Sequence, residues 1–177
     1  AHGSYIFNEE TNNGLRIVAG IVSDVTGEDV FQNFNFDVTI FASQSFTTNN
    51  ATNYYFSKNV QLGANTLTLA GDGFITMLST ISGTGNIVNN STGYLFLAGN
   101  NSFTGALTLN AGLTQVTGTG QNALGSASAG TTINEGATLN FRFFGNDEGC
   151  DPVTIAEPFT LAGDGAGNAP YNNLNNY

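Results

Sequence analysis

The sequence predicts an all-β protein built as a parallel β-helix, or β-solenoid. An alternating apolar strand that ends in a polar turn occurs three times, as Leu67-Thr-Leu-Ala-Gly-Asp-Gly73, Leu95-Phe-Leu-Ala-Gly-Asn-Asn101 and Phe159-Thr-Leu-Ala-Gly-Asp-Gly165. The 177 residues include 23 Gly, 14 Phe and 6 Tyr, a composition rich in strand and turn formers. No segment combines helical periodicity with capping residues. Because one strand-turn unit cannot bury its own apolar face, repetition lets each copy cover the next.

Residues 1–62 follow the pattern less regularly, and we predict an irregular N-terminal β region or cap that continues into the solenoid. Strands are predicted at residues 5–7, 15–22, 30–41 and 54–62. The Asn13-Gly14 pair tolerates positive φ at both positions and predicts a hairpin between the first two strands. In the third strand, period-2 alternation predicts one buried face, formed by Phe34, Phe36, Val38 and Ile40.

Residues 63–177 carry the predicted β-helix repeats. Short strands at residues 67–69, 94–97, 106–109, 113–117 and 138–143 alternate with clusters of Gly, Asn, Ser and Thr. Leu67 and Leu95 are 28 residues apart, and intervals of this size suit one coil of two or three strands. The alternative, an antiparallel sandwich, would show turn signals every 8 to 12 residues, roughly, without repeated phrases. We expect leucines at alternating positions to point into the tube: Leu67, Leu69, Leu95, Leu97, Leu107 and Leu109.

The central part of the chain resembles a known repeat. The matching segments are Ile81-Ser-Gly-Thr-Gly-Asn-Ile-Val, Tyr94-Leu-Phe-Leu-Ala-Gly-Asn-Asn-Ser-Phe-Thr-Gly-Ala-Leu-Thr-Leu-Asn-Ala-Gly-Leu-Thr-Gln-Val116, Ala123-Leu-Gly-Ser and Thr132-Ile-Asn-Glu-Gly-Ala-Thr-Leu-Asn-Phe141. They resemble the passenger-associated repeat of bacterial autotransporter proteins over residues 65–173. The resemblance implies a right-handed parallel β-helix, exported from a Gram-negative type of cell or displayed on its surface. The first 60 residues or so match this repeat poorly.

Two sets of turn residues are candidate structural sites. We expect one set of glycines to allow tight turns between strands, often with positive φ: Gly83, Gly85, Gly99, Gly105, Gly112 and Gly136. Asn110 and Asn134 are 24 residues apart. They either stack in successive coils as an amide ladder or are solvated turn residues.

Acidic residues concentrate near Cys150, the only cysteine. Asp147, Glu148 and Asp151 are weak Ca²⁺ candidates, but their spacing differs from that of an EF-hand loop, which favours a solvated acidic loop and no metal. Cys150 has no adjacent base, which favours an ordinary buried residue over a nucleophile or a crosslink. We therefore predict no enzyme activity and no cofactor, and a polysaccharide-acting β-helix enzyme is the weakest functional class.

Charge restricts the expected partners. The net charge is −10, and the basic residues are Arg16, Lys58 and Arg142 alone. Binding to nucleic acid or to anionic lipid depends on clustered Lys and Arg, so neither partner is expected. No apolar run approaches the roughly 20 residues that span a bilayer, so we expect no membrane insertion by this segment. The expected location is extracellular or on a bacterial cell surface.

Two functions are consistent with these features. In the first, an autotransporter-passenger-like solenoid acts as an adhesin or rigid stalk. Its amides, hydroxyls and exposed aromatic residues, such as Tyr54 and Tyr55, would contact glycans or proteins of a host or neighbouring cell. In the alternative, the chain is the subunit of a head-to-tail extracellular filament, self-associating through the strand edges at the solenoid ends.

Overall fold

The computed structural model describes residues 5–8, 15–17, 19–23, 30–50, 52–117, 122–142, 155 and 157–162, and within them every regular element is a β-strand. The all-β prediction is confirmed. The strands are β1 (Tyr5–Asn8), β2 (Leu15–Ile17), β3 (Ile21–Val22), β4 (Val30–Asn35), β5 (Val38–Ile40), β6 (Gln44–Thr48), β7 (Thr52–Phe56), β8 (Val60–Gln61), β9 (Leu67–Gly71), β10 (Phe74–Met77), β11 (Ile81–Ser82), β12 (Ile87–Asn89), β13 (Tyr94–Leu97), β14 (Leu107–Leu109), β15 (Gly112–Thr117), β16 (Thr131–Ile133), β17 (Ala137–Arg142) and β18 (Phe159–Leu161).

Successive strands are distributed in turn over three sheets. Sheet A has the strand order β1-β4-β7-β10-β13-β15-β17, sheet B the order β11-β8-β5-β2, and sheet C the order β18-β16-β14-β12-β9-β6-β3. All pairings between these strands are parallel. As far as β12, the chain therefore passes from sheet A through sheet B to sheet C and then returns to sheet A one layer further on. From β13 onward, successive strands alternate between sheets A and C. This is a parallel β-solenoid, as the repeated phrases predicted.

The N-terminal strands belong to the same three sheets as the later ones. Residue 62 lies between β8 of sheet B and β9 of sheet C, within a single coil. The predicted hairpin is wrong, because β1 pairs with β4 in sheet A whereas β2 pairs with β5 in sheet B. Asn13 and Gly14 themselves lie outside the described residues.

The length of one coil is given by the register between neighbouring strands. Phe74 is paired with Tyr94 and Leu107 with Thr131, which are 20 and 24 residues further along the chain. Leu67 and Leu95, by contrast, lie in different sheets, because Leu67 is in β9 of sheet C and Leu95 is in β13 of sheet A. The 28-residue interval is therefore not the length of one coil. The repeated sequence motif marks a strand followed by a turn, and this unit occurs in more than one sheet.

The core is a continuous column of side chains inside the coils. The rings of Phe34 and Phe56, one coil apart, are stacked with centroids 4.7 Å apart, and Phe46 of sheet C lies 5.4 Å from Phe56. The column continues along sheet A through Met77 and Leu97. The expected interior leucines are all buried: Leu67, Leu69, Leu95, Leu97, Leu107 and Leu109.

The alternation predicted for residues 31–41 is confirmed, although the segment is not one strand. β4 ends at Asn35 and β5 begins at Val38, so the chain turns from sheet A to sheet B at Phe36 and Asp37. The inward-facing period continues around this corner, since the whole predicted set is buried: Phe34, Phe36, Val38 and Ile40.

Sheet B ends at β11, and a buried amide takes over its role in the following coil. Asn101 Oδ1 accepts a hydrogen bond of 2.8 Å from the Ile81 N–H, and Asn101 Nδ2 donates one of 2.7 Å to the Ala123 carbonyl. Phe103 fills the interior beside it. One side chain thus joins three successive coils where the strand pairing stops.

Candidate functional site

The outer side of sheet A carries a row of aromatic side chains. Along β10, Ile75 and Met77 are buried in the core while Phe74 is exposed, because side chains alternate between the two faces of a strand. The parallel register aligns the outward positions of successive strands. We call the resulting set the aromatic face: Phe31, Tyr55, Phe74, Tyr94 and Phe96.

Within the aromatic face, Phe31 contacts Tyr55, and Tyr94 contacts both Phe74 and Phe96. Ring centroids are 5.7 Å apart for Phe31 and Tyr55, 5.6 Å for Phe74 and Tyr94, and 6.3 Å for Tyr94 and Phe96. Phe31 is 41% and Phe74 46% exposed, and the others are half-buried. Because β4, β7, β10 and β13 are consecutive in sheet A, every coil in this stretch supplies at least one ring. At a strand spacing of about 4.8 Å, the row is about 14 Å long.

Hydrogen-bonding side chains lie between the rings. Asn53 is paired in register with Phe31 and Phe74. Thr76 is paired with Tyr55 and with Phe96 in the same way. Rings and polar groups therefore alternate along the column that contains Tyr55 and Phe96, whereas in the other column Phe74 is paired directly with Tyr94. Asn53 is 6% and Thr76 8% exposed, so the rings form most of the accessible surface.

The aromatic face is electrically neutral. No charged side chain occupies an outward position of β4, β7, β10, β13 or β15, and Arg142 in β17 is the first charged outward residue along this side. Burial raises the pKa of Tyr94, and the Arg142 charge opposes this rise. The Tyr94 hydroxyl is therefore protonated at neutral pH and can both donate and accept hydrogen bonds.

The two tyrosines expected to be exposed lie on opposite faces of β7. Tyr54 is 0% exposed, so that prediction is wrong for it, and its hydroxyl donates a hydrogen bond of 3.3 Å to the Thr47 carbonyl. Burial raises the pKa of Tyr54 to about 12, with a hydrogen bond to Ser23 acting in the opposite direction. Tyr55, the next residue, points outward and belongs to the aromatic face. Adjacent strand residues cannot share a face, which explains the split.

Sequence reasoning missed four of the five rings: Phe31, Phe74, Tyr94 and Phe96. Their spacing along the chain is irregular, and they become a row only through the register of sheet A. A usable signal was present, since Phe74 follows Gly73 and Tyr94 follows Gly93, one coil later. An aromatic residue directly after a stacked turn glycine marks the first outward position of the strand.

The outer side of sheet C has a different chemistry. One outward column is rich in threonine and contains Thr68, Val88, Thr108, Thr132 and Thr160. At its edge, Asn134 Nδ2 donates to Asn110 Oδ1 at 2.5 Å, and Asn110 Nδ2 donates to Asn90 Oδ1 at 2.6 Å. The structure thus places Asn110 and Asn134 in an amide ladder that begins one coil earlier, at Asn90.

The turn glycines meet two different requirements. Gly83, Gly112 and Gly136 have φ of 116°, 66° and 85°. At Gly85, Gly99 and Gly105 the constraint is contact with the preceding coil rather than a positive φ. A Cβ at Gly85 would lie 1.9 Å from the Asn65 carbonyl oxygen, and a Cβ at Gly99 or Gly105 would lie 2.1 Å from a backbone oxygen.

The acidic candidates and the cysteine lie outside the described residues: Asp147, Glu148, Cys150 and Asp151. Within the described part of the chain, no three His, Cys, Asp or Glu side chains are grouped so as to hold a metal ion. The same part contains no helix of the length and apolarity that crossing a membrane requires.

The fold and the site together define a parallel β-solenoid with one neutral aromatic outer face and one threonine- and asparagine-rich outer face. Comparison of the chain with protein-family models, with curated proteins and with solved structures gave no match.

Proposed function

We propose that the chain is an extracellular or cell-surface β-solenoid of the autotransporter-passenger kind, and that its aromatic face is an adhesive surface. The aromatic face is the observation that carries this proposal. Clustered, partly exposed aromatic side chains are enriched at binding surfaces, because they supply large contact areas at a low cost in conformational entropy. A row of five such rings on one side of a sheet, interleaved with polar groups, is more than scattered surface exposure.

The solenoid also supplies the rigidity that a stalk or adhesin requires. The rings lie on strands that are hydrogen-bonded on both sides, with β7 held between β4 and β10 and β13 between β10 and β15. Their backbone positions are therefore fixed by the stack rather than by flexible loops. Such a surface pays little ordering cost when it binds.

The adhesion test compares two rings of the aromatic face with one exposed ring that lies outside it. The chain is displayed on a non-adherent bacterium, and attachment to cultured host cells and to neighbouring bacteria is counted. We expect display to increase attachment and the double variant Phe74→Thr, Tyr94→Thr to abolish the increase, since threonine keeps the strand propensity but removes the rings. Phe41→Thr is the control, because Phe41 is 44% exposed but lies outside the aromatic face, against the Arg16 guanidinium. Attachment that survives the double variant would refute the proposal.

The proposed location has its own test. Antibodies against the folded chain should label intact source cells, or they should detect the secreted chain in the culture medium. Labelling that requires cell lysis, with none of the chain outside the cell, would show that the location is wrong.

A second candidate function, the filament subunit, rests on the last strand that the structure describes. Phe159 and Leu161 of β18 are in register with Thr131 and Ile133, and one coil further back with the buried Leu107 and Leu109. Both occupy interior positions of the column, yet they are 40% and 74% exposed. A second copy stacked on this coil would cover them, and such head-to-tail contacts propagate without closure.

The filament is tested by sedimentation velocity and electron microscopy over a range of protein concentrations. We expect concentration-dependent rods, and Leu161→Glu should prevent them, because it places a charge where the next coil would pack. A chain that stays monomeric at every concentration contradicts the filament and leaves the adhesive surface unaffected.

A further inference from the structure

We infer that the aromatic face binds an uncharged, linear polysaccharide that lies along the solenoid axis. This inference rests on the proposed adhesive function and gives the chemical class of its partner.

The rings account for the apolar part of the recognition. The face of an aromatic ring carries a partial negative charge, and the C–H groups on the faces of a sugar ring carry a partial positive one. Stacking a sugar on Phe74 or Tyr94 therefore combines apolar burial with a favourable electrostatic contact. Because one ring or more comes from each of β4, β7, β10 and β13, the contacts repeat along the axis, as the units of a linear polymer do.

The groups between the rings account for the polar part. Hydroxyl groups around the edge of a sugar need both donors and acceptors, and an amide supplies both from one side chain. Asn53 lies between Phe31 and Phe74, and Gln115 follows Phe96 in the next strand. Both amides are largely covered, at 6% and 8% exposed, so half-buried Tyr94 is the more accessible polar side chain. The protonated Tyr94 hydroxyl adds a group that can serve either role.

The charge distribution selects a neutral polymer. The outward positions of the five strands from β4 to β15 in sheet A carry no ionisable side chain apart from the two tyrosines, and the first cation on this side is Arg142 in β17. A carboxylate or sulfate on each unit of a polymer therefore has no matching row of cations. The chain as a whole has a net charge of −10, which repels polyanions at moderate ionic strength. An uncharged polysaccharide meets neither difficulty.

Affinity electrophoresis of the purified full chain tests the inference. Gels contain one of the neutral polymers cellulose ether, xylan, galactomannan or soluble starch, or one of the anionic polymers polygalacturonate or heparin. We expect retardation in at least one neutral polymer and none in the anionic ones. Phe74→Thr or Tyr94→Thr should each weaken binding about tenfold, comparable to the loss of one stacked ring, and Phe41→Thr should bind as the unaltered chain does.

Circular dichroism and thermal melting establish that each variant remains folded, and Phe31→Thr, at the far end of the row, provides a second independent ring. Binding only to anionic polymers, binding that the ring variants leave unchanged, or no binding to any neutral polymer would each overturn the inference. If the polysaccharide is not bound but displayed cells still attach through the aromatic face, the partner is a protein, so the adhesive function survives. If attachment also fails, both proposals are refuted.

Discussion

Gly85 and Gly136 show that glycines in similar turn phrases are required for different reasons. Gly136 has a φ of 85° and open space around its missing Cβ. Gly85 has no unusual φ, but the Asn65 carbonyl of the coil below occupies the space that a side chain needs. The sequence identified both as turn glycines, but it could not separate them, because the close approach between coils depends on which residues become vertical neighbours.

This difference predicts unequal effects of the same substitution. Gly136→Ala should lower the free energy of unfolding by about 1–2 kcal/mol, the cost of a left-handed conformation. Gly85→Ala should cost at least about 3 kcal/mol, because the backbone of a whole coil must move. Urea denaturation of the two variants measures both values. Equal losses would show that coil contact does not constrain Gly85.

Tyr54 makes stability depend on alkaline pH. Its pKa is raised from the ordinary 10.0 to about 12 because the ring is buried. The unfolded chain therefore ionises first, so the stabilisation is fully present below pH 10 and is lost as the pH rises to 12 and beyond. The loss is at most about 2.7 kcal/mol.

The measurement is the free energy of unfolding between pH 8 and pH 12 for Tyr54→Phe and Tyr55→Phe. The Tyr54 variant loses the hydrogen bond to Thr47 and should be less stable at pH 8, yet its stability should fall less steeply above pH 10. The Tyr55 variant serves as the control, since that residue lies on the outer side of the same strand. Parallel profiles for both variants and the unaltered chain would rule out the buried phenol as the cause.

At the scale of the strand, the amide ladder on sheet C ties three coils together by side chains alone. Asn110 donates to Asn90 and accepts from Asn134, whereas Asn134 has this ladder contact on one side only among the described residues. We expect Asn110→Ala to cost about 2 kcal/mol, because it removes two ladder hydrogen bonds, and Asn134→Ala about 1 kcal/mol, because it removes one. Chemical denaturation measures the ratio. A larger loss at Asn134 than at Asn110 would contradict the ladder as the source of stability.

The elements also show what the sequence could and could not predict. Alternation located the interior leucines and the buried face of residues 31–41, because a strand that is buried on one side has an apolar residue at every second position. The assignment of strands to sheets was not readable in the same way. Leu67 and Leu95 lie in similar motifs but in different sheets, since their 28-residue separation is eight residues longer than the 20-residue coil at this point. The Asn13-Gly14 hairpin failed for a related reason, because local turn chemistry does not reveal a corner between two parallel sheets.

For the whole molecule, the solenoid could be predicted and the aromatic face could not. Repetition and composition are sufficient for the architecture, because each coil depends on its neighbours in the same way. The aromatic face depends on the sum of several coil lengths, which brings Phe31, Tyr55 and Phe74 into one row although their spacings differ. The wrong prediction for Tyr54 has the same origin, since the neighbouring strands decide which residues of β7 face inward and which face outward.

The net charge of −10 leads to a prediction for the molecule as a whole. The chain has 13 acidic and three basic residues, so repulsion between like charges opposes the compact state at low ionic strength. Salt shortens the screening length from about 30 Å at 0.01 M to about 10 Å at 0.1 M, and the folded state gains more from this than the expanded one. We expect Tm to rise by about 2–4 °C, equivalent to about 1 kcal/mol, between 10 mM and 300 mM NaCl. The double variant Asp72→Asn, Glu135→Gln removes two exposed negative charges and should show a smaller rise, while the uncharged control Thr138→Ser should show the full one. A Tm that falls with added salt would mean that attractive ion pairs, rather than repulsion, dominate the electrostatics of the solenoid.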